Sequence, residues 1–152
     1  ALLSGGEAGL RLQPERLVLA VSAVTAAEMV FDITLRRCRE RSAFGRPITA
    51  FQHTRFELAE MATEIRLGRT FVDKLVADHL EGKDVVTEVS MAKAWTTEMA
   101  FRVADRCLQL HGGDGYSEAC AVARAWRDLR VTRILGGTNE IMRGIVARRL
   151  GI

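Results

Sequence analysis

The sequence predicts an all-α fold, an antiparallel up-and-down four-helix bundle with a short additional C-terminal helix. Three observations carry this expectation. Only two of the 152 residues are proline, too few for a loop-rich β fold whose turns draw on Pro as well as Gly. Ala, Leu, Arg and Glu, which favour helices, make up 67 of the 152 residues. Finally, apolar residues recur every three or four positions through long stretches that end at Gly or Pro.

The elements follow in chain order. Residues 1–13 carry Gly5, Gly6 and Gly9 and read as an irregular lead-in, leaving 14–152 for the bundle. Pro14 suits a helix's first turn, where its missing N–H costs nothing. From there Leu17, Val21, Val24, Ala27, Val30 and Phe31 form an amphipathic stripe reaching about Glu40. Gly45 and Pro47 break it, and Thr49 is a candidate N-cap for the next helix. That helix, over about 50–81, has Phe51, Leu58, Met61, Ile65, Val72, Leu75 and Val76 as its stripe and stops at Gly82. Asp84 or Thr87 caps a third, carrying Val89, Ala92, Trp95, Met99, Val103 and Cys107. Gly112, Gly113 and Gly115 end it. A shorter helix near 118–130, a break at Gly136 and Gly137, and a last helix from about Asn139 to Arg149 complete the chain. Joined by short loops, these elements describe a bundle.

Composition narrows the function. With 48% hydrophobic residues the chain is not disordered, and three cysteines (Cys38, Cys107, Cys120) do not make a disulfide scaffold. No uninterrupted apolar run approaches the ~18 residues of a membrane span, and no cleavable signal pattern opens the sequence. A soluble protein of a reducing compartment is the resulting expectation. The net charge is +3, and 19 of the 22 cations are Arg. Glu57, Glu60, Glu64, Asp73 and Asp78 are interleaved among them, which argues against nucleic acid as a partner. His53, His79 and His111 have no metal-ligand spacing and read as surface or interface residues, with no metal site. Trp95 and Trp126 read as bundle core.

Two glycine breaks stand out. One helix ends in Gln109-Leu-His-Gly-Gly-Asp-Gly115, and another opens with Gly136-Gly-Thr-Asn-Glu140. Paired glycines admit close approach of a ligand to the backbone, and a helix N-terminus offers free N–H groups to an anion. Alone each is a weak signal, since a Gly-rich helix stop is ordinary C-capping most of the time.

Together the segments Pro14-Glu-Arg-Leu-Val-Leu-Ala20, Arg41-Ser-Ala-Phe-Gly-Arg-Pro-Ile48, Phe51-Gln52, Gln109 to Tyr116, Arg127-Asp-Leu-Arg130 and Ile134 to Ile141 resemble the C-terminal helical domain of the acyl-CoA dehydrogenase family. They occur in family order and cover nearly all of the chain from residue 14. The resemblance implies a flavoenzyme that uses FAD to desaturate an acyl-CoA thioester. It implies α-proton abstraction coupled to β-hydride transfer to flavin N5. The family's N-terminal helical and middle β domains are not represented, so the resemblance implies an excised domain that is inactive alone.

In most of the family the carboxylate base precedes the Gly-Thr pair of the final helix. Here that position is Gly136, which keeps only a backbone N–H to bind the thioester carbonyl, with Gly137 beside it. A minority, including the long-chain and isovaleryl branches, supplies the base from the first helix, at the position of Glu15. Glu15 is thus the implied base and Arg16 its neighbour in the substrate pocket. By the same resemblance Arg41 binds the FAD diphosphate of a neighbouring subunit, with Phe44 packing nearby and Gln52 near the adenosine. Gln109, Gly112 and Gly113 approach the adenosine end across a dimer, while Thr138, Asn139 and Glu140 meet the flavin within a subunit. Glu140 has a competing reading as a capping-box acid. The implied partners are acyl-CoA, an electron-transfer-flavoprotein type of acceptor, and further copies of the chain in a homodimer or homotetramer. The implied location is cytoplasmic, or the mitochondrial matrix in a eukaryote. Two alternatives stay open: an oxidase of the same fold that passes its electrons to oxygen, and a non-catalytic partner bundle, which Gly136 favours and Glu15 opposes.

Overall fold

The computed structural model describes residues 12–152, so most of the expected lead-in lies outside the described residues. Helix α1 spans Gln13–Glu40, one residue before Pro14, and has Glu15 in its first turn and Arg37 and Arg39 in its last. That charge order complements the helix dipole. A hairpin follows, β1 (Ser42–Ala43) against β2 (Arg46–Pro47), with Ser42 opposite Pro47. Phe44 and Gly45 turn it with φ of 52° and 78°, the two left-handed residues that a tight hairpin needs. Sequence periodicity cannot show so short a pair, so the hairpin was not foreseen.

Thr49 is not the N-cap expected of it. Ile48–Ala50 forms a single 3-10 turn, and α2 (Gln52–Leu80) starts after an extended Phe51 without a side-chain cap. Helix α3 spans Val86–His111. Its N-cap is Val85, which makes no side-chain cap bond, and Thr87 lies inside the helix; Asp84, one residue before the cap, accepts from the Val86 N–H at 3.3 Å. A 3-10 turn at Gly112–Tyr116 leads to α4 (Ala121–Thr132), later than the expected start near 118. The last helix, α5, is Asn139–Arg149 as anticipated, capped by the Thr138 hydroxyl.

Helices α1 to α4 run antiparallel, each to the next. Arg69 of α2 pairs with Glu28 of α1, Arg106 of α3 with Glu57 of α2, and Trp126 of α4 donates to Asp105 of α3. Helices α1 and α3 are therefore parallel across the diagonal, and they share the most extensive packing in the molecule. The reason is residue size. Ala20, Ala23, Val24, Ala27 and Val30 of α1 meet Val89, Ala92, Ala100, Val103 and Ala104 of α3, all buried, and small side chains let two helix axes approach closely. Val21, Phe31 and Val76, expected on the inner stripes, are only partly buried at its edge.

Three expectations need correction. Trp95 is 39% exposed rather than core, and Trp126 is half-buried against Phe101. His111 is buried, not superficial, and meets the Thr34 hydroxyl at 3.2 Å. Helix α1 as a whole is long and apolar enough to cross a membrane by length and composition, with a window of mean hydropathy 1.8. Glu28 and Asp32 interrupt any uninterrupted apolar run, and the helix's small apolar residues are spent on α3.

Candidate functional site

The residues singled out in the sequence gather at two places, at opposite ends of α1. At its start, the Gly136–Gly137 bend between α4 and α5 lies against the first turn. Both glycines have positive φ, 64° and 95°, which Cβ-bearing residues adopt at a cost. A Cβ at 136 would stand 2.7 Å from Leu19 Cδ1 and 3.6 Å from Glu15 Oε1. The Glu15 carboxylate thus reaches the space that a side chain at 136 would occupy. Its side chain is otherwise exposed in this chain.

Two buried cations hold the bend. Arg16, 3% exposed, donates from Nε to the Gly136 carbonyl at 2.9 Å. Lys93, fully buried, donates to the Gly137 carbonyl at 2.8 Å and to Asn139 Oδ1 at 2.9 Å. Burial lowers the Arg16 guanidinium, against the attraction of Glu15. Burial first and Arg16 second push Lys93 down to about 8, while Glu140 and Glu98 oppose. The sequence reading missed Lys93. Its signal was there: Lys93 is one of only three lysines in the chain, and it falls four residues after Val89 on the inward stripe of α3.

Asn139 departs from the role expected of it. It is 2% exposed, and its amide donates to the Ala94 carbonyl, Thr97 Oγ1 and Glu98 Oε1 at 3.1–3.3 Å. Its backbone N–H goes to the Arg133 carbonyl. Neither its side chain nor its N–H is turned to a ligand, because a buried amide must find its partners inside. Thr138 is the N-cap, accepting from the Ile141 N–H. Glu140 is exposed. Its own backbone N–H, then the Thr138 hydroxyl, then Arg143 and Arg133 hold its carboxyl below the usual range.

At the other end of α1, Arg41, Gln109, Gly112 and Gly113 line one groove of about 280 Å³ together with Arg37, Ile48 and Asp114. Arg37 stands in the last turn of α1 and Arg41 is the extended residue that follows the helix; sequence reading missed Arg37 for want of a motif. It pairs with Asp114 and reaches the His111 carbonyl, while its Nε is buried without a partner. Burial first, and Arg37 second, lower the His111 imidazole, against Asp114. Phe44 and Gln52 lie outside the groove's lining. Phe44 is 95% exposed at the hairpin tip and sits edge-on to Phe51, 6.2 Å between centroids. Arg46 lies over the Phe51 ring at 4.1 Å. Among the described residues no cluster of three metal-ligating side chains occurs.

Comparison with known proteins gives these two places a context. Residues 8–151 match the model of the acyl-CoA dehydrogenase C-terminal domain. The chain belongs to the acyl-CoA dehydrogenase family. Among curated relatives, the mitochondrial long-chain specific acyl-CoA dehydrogenase of Rattus norvegicus is 41% identical over 139 residues, covering 91% of this chain and 32% of that protein. Among solved structures, an acyl-CoA dehydrogenase from Geobacillus kaustophilus is 55% identical with a TM-score of 0.92, over 93% of this chain and 37% of that one. Butyryl-CoA dehydrogenase from Megasphaera elsdenii gives the same TM-score at 33% identity, over 95% of this chain and 38% of its own. The chain thus spans about a third of the length of these acyl-CoA dehydrogenases. The chain shares the helical fold of these proteins, and its own two glycine breaks fall at helix ends.

Proposed function

We propose that this chain is the C-terminal domain of an FAD-dependent acyl-CoA dehydrogenase in which Glu15 removes the α-proton of the acyl thioester. The observation that carries the reading is the 3.6 Å between Glu15 Oε1 and the Cβ position of Gly136. A carboxylate from α1 reaches the place from which position 136 would otherwise supply one. In the first turn of α1 the helix dipole favours its ionised form, and enclosure by an acyl chain would raise its affinity for a proton toward the range useful to a base. The Gly136 N–H, needing no side chain, is the donor for the thioester carbonyl as it gains enolate character. A preorganised donor of this kind is worth about 3 kcal/mol. Arg16, next to Glu15 in the chain, is buried and holds the Gly136 carbonyl from behind, so it supports the bend instead of lining the substrate side.

The groove's chemistry fits a dinucleotide. Arg41 offers a planar fork for a diphosphate, the buried Arg37 Nε lacks a partner, and Gly112 and Gly113 have nothing within 4 Å of where a Cβ would stand, so a ligand could approach their backbone. Arg41, Gln109, Gly112 and Gly113 would hold FAD there, with Phe44 and Gln52 beside it, and Thr138 and Glu140 would meet a flavin at the bend. When bound, FAD supplies the hydride acceptor for the β-carbon. An electron-transfer flavoprotein would then reoxidise it. Long or branched acyl groups are the proposed substrates, in keeping with a base on α1, and the isolated chain is proposed to be inactive.

The test uses the full-length protein that carries this domain. Its flavin absorbance should bleach anaerobically with acyl-CoA, and Glu15→Gln should abolish that bleaching while leaving bound flavin unchanged. Bleaching that survives in Glu15→Gln removes Glu15 from the role.

A further inference from the structure

The two cations behind the bend have no part in proton or hydride transfer, yet they are buried at a cost that ordinary packing would avoid. A buried ammonium or guanidinium costs several kcal/mol before its partners repay it. Lys93 and Arg16 spend their donors on the carbonyls of consecutive glycines, 136 and 137. These peptides are trans, so each carbonyl points opposite to the N–H of the same plane. With the Gly136 carbonyl drawn to Arg16 and the Gly137 carbonyl drawn to Lys93, the N–H groups of Gly137 and Thr138 face away from the bundle. Among the described residues neither N–H meets an acceptor.

Glycines would leave this segment free to flip either peptide plane. Charge-assisted hydrogen bonds to both carbonyls remove that freedom. Lys93 also grips Asn139 Oδ1, and Asn139 in turn is bound to Thr97 and Ala94 of α3. The first residue of α5 and the bend before it are thus fixed to α3 as one piece. Charged groups face Lys93 from α1 (Arg16), from α3 (Glu98) and from α5 (Glu140).

We propose that Lys93, with Arg16, is a positioning residue of the reaction: Lys93 turns the Gly137 carbonyl inward as Arg16 turns that of Gly136, and the pair thereby present the Gly137 and Thr138 N–H groups to substrate and flavin. This rests on the dehydrogenase reading above. Lys93 touches neither reactant; it acts through the backbone it holds.

Lys93→Met, of similar length and without donors, tests it in the full-length holoprotein. Misaimed donors should lower kcat about 10- to 100-fold, with KM within about threefold and flavin content unchanged, and Lys93→Arg should recover part of the loss. A holoprotein with kcat within about threefold of wild type overturns the proposal. A second arm needs no substitution. In the unaltered 152-residue chain, the Gly137 carbonyl ¹³C and Thr138 amide ¹⁵N resonances should shift with one midpoint as Lys93 Nζ titrates, and stationary resonances overturn it. Wild-type bleaching with unimpaired Lys93→Met removes the positioning role alone. Absence of wild-type bleaching by any acyl-CoA removes the dehydrogenase reading, so the two failures are distinguishable.

Discussion

At position 136 the place of an absent side chain has Glu15 Oε1 as a neighbour, 3.6 Å from where a Cβ would stand. Gly136 sits at positive φ with Leu19 where its Cβ would be, so returning a carboxylate there would meet backbone strain and a crowded neighbour together. Glu15 escapes both, because a first-turn helical residue has ordinary dihedrals and a long side chain. Lys93 behind the bend gives a second residue-scale consequence. Its folded affinity for protons is lowered, to about 8, against an ordinary value of 10.5. Between these values the unfolded chain holds a proton that the folded chain has released, so stability rises with pH across that window. Subtracting a Lys93→Met variant isolates this contribution from that of Lys83, whose ammonium is held charged by Asp78 and Glu81. The wild-type advantage in melting temperature should be flat below pH 8 and grow from about pH 8 to 10.5. A difference that falls with rising pH would contradict a buried, depressed ammonium at this place.

At the scale of elements, helix α3 is joined to its neighbours by charge on one side and small apolar residues on the other. Arg106 spans two turns of α2, meeting Glu57 at 2.6 Å, Glu60 at 2.7 Å and Glu64 at 3.4 Å. Removing it leaves three carboxylates stacked on one helix face with mutual repulsion. Because the guanidinium is 22% exposed, the cost is that of a partly screened cluster. Arg106→Ala should lose about 1–2 kcal/mol of unfolding free energy, read from urea denaturation, and the loss should shrink in 1 M salt. The three acids of this ladder are among the five that argued against nucleic acid in the sequence, and the structure gives them a use within the bundle. The helices were legible because apolar spacing and Gly or Pro breaks are local signals. The caps at Phe51 and Val85 were not, since neither side chain caps anything. The hairpin's two-residue strands carry no period. At the site, Glu15 and Gly136 could be picked out as residues, but their meeting could not, since 120 positions separate 136 from Arg16. Asn139 read as a ligand residue because polarity near a glycine bend suggests binding, and only the fold shows its amide consumed by α3.

For the whole molecule, the separation of the two sites matters more than either one. Helix α1 rises about 40 Å from Gln13 to Glu40, with Glu15 and the bend at one end and Arg41 and the groove at the other. One dinucleotide cannot touch both ends of one chain. If both places serve FAD, each cofactor takes the bend from one copy and the groove from another, and the active form is an oligomer whose copies exchange these ends. Mixing separates this arrangement from a self-contained subunit. Full-length Glu15→Gln keeps its Arg41, and full-length Arg41→Ala keeps its Glu15. In a two-fold dimer of one of each, one site contains both native residues and the other contains neither. Random re-association should therefore restore about a quarter of wild-type activity from two inactive parents. Subunits that carry Glu15 and Arg41 to the same cofactor would give no recovery on mixing, since every site would then lack one of the two.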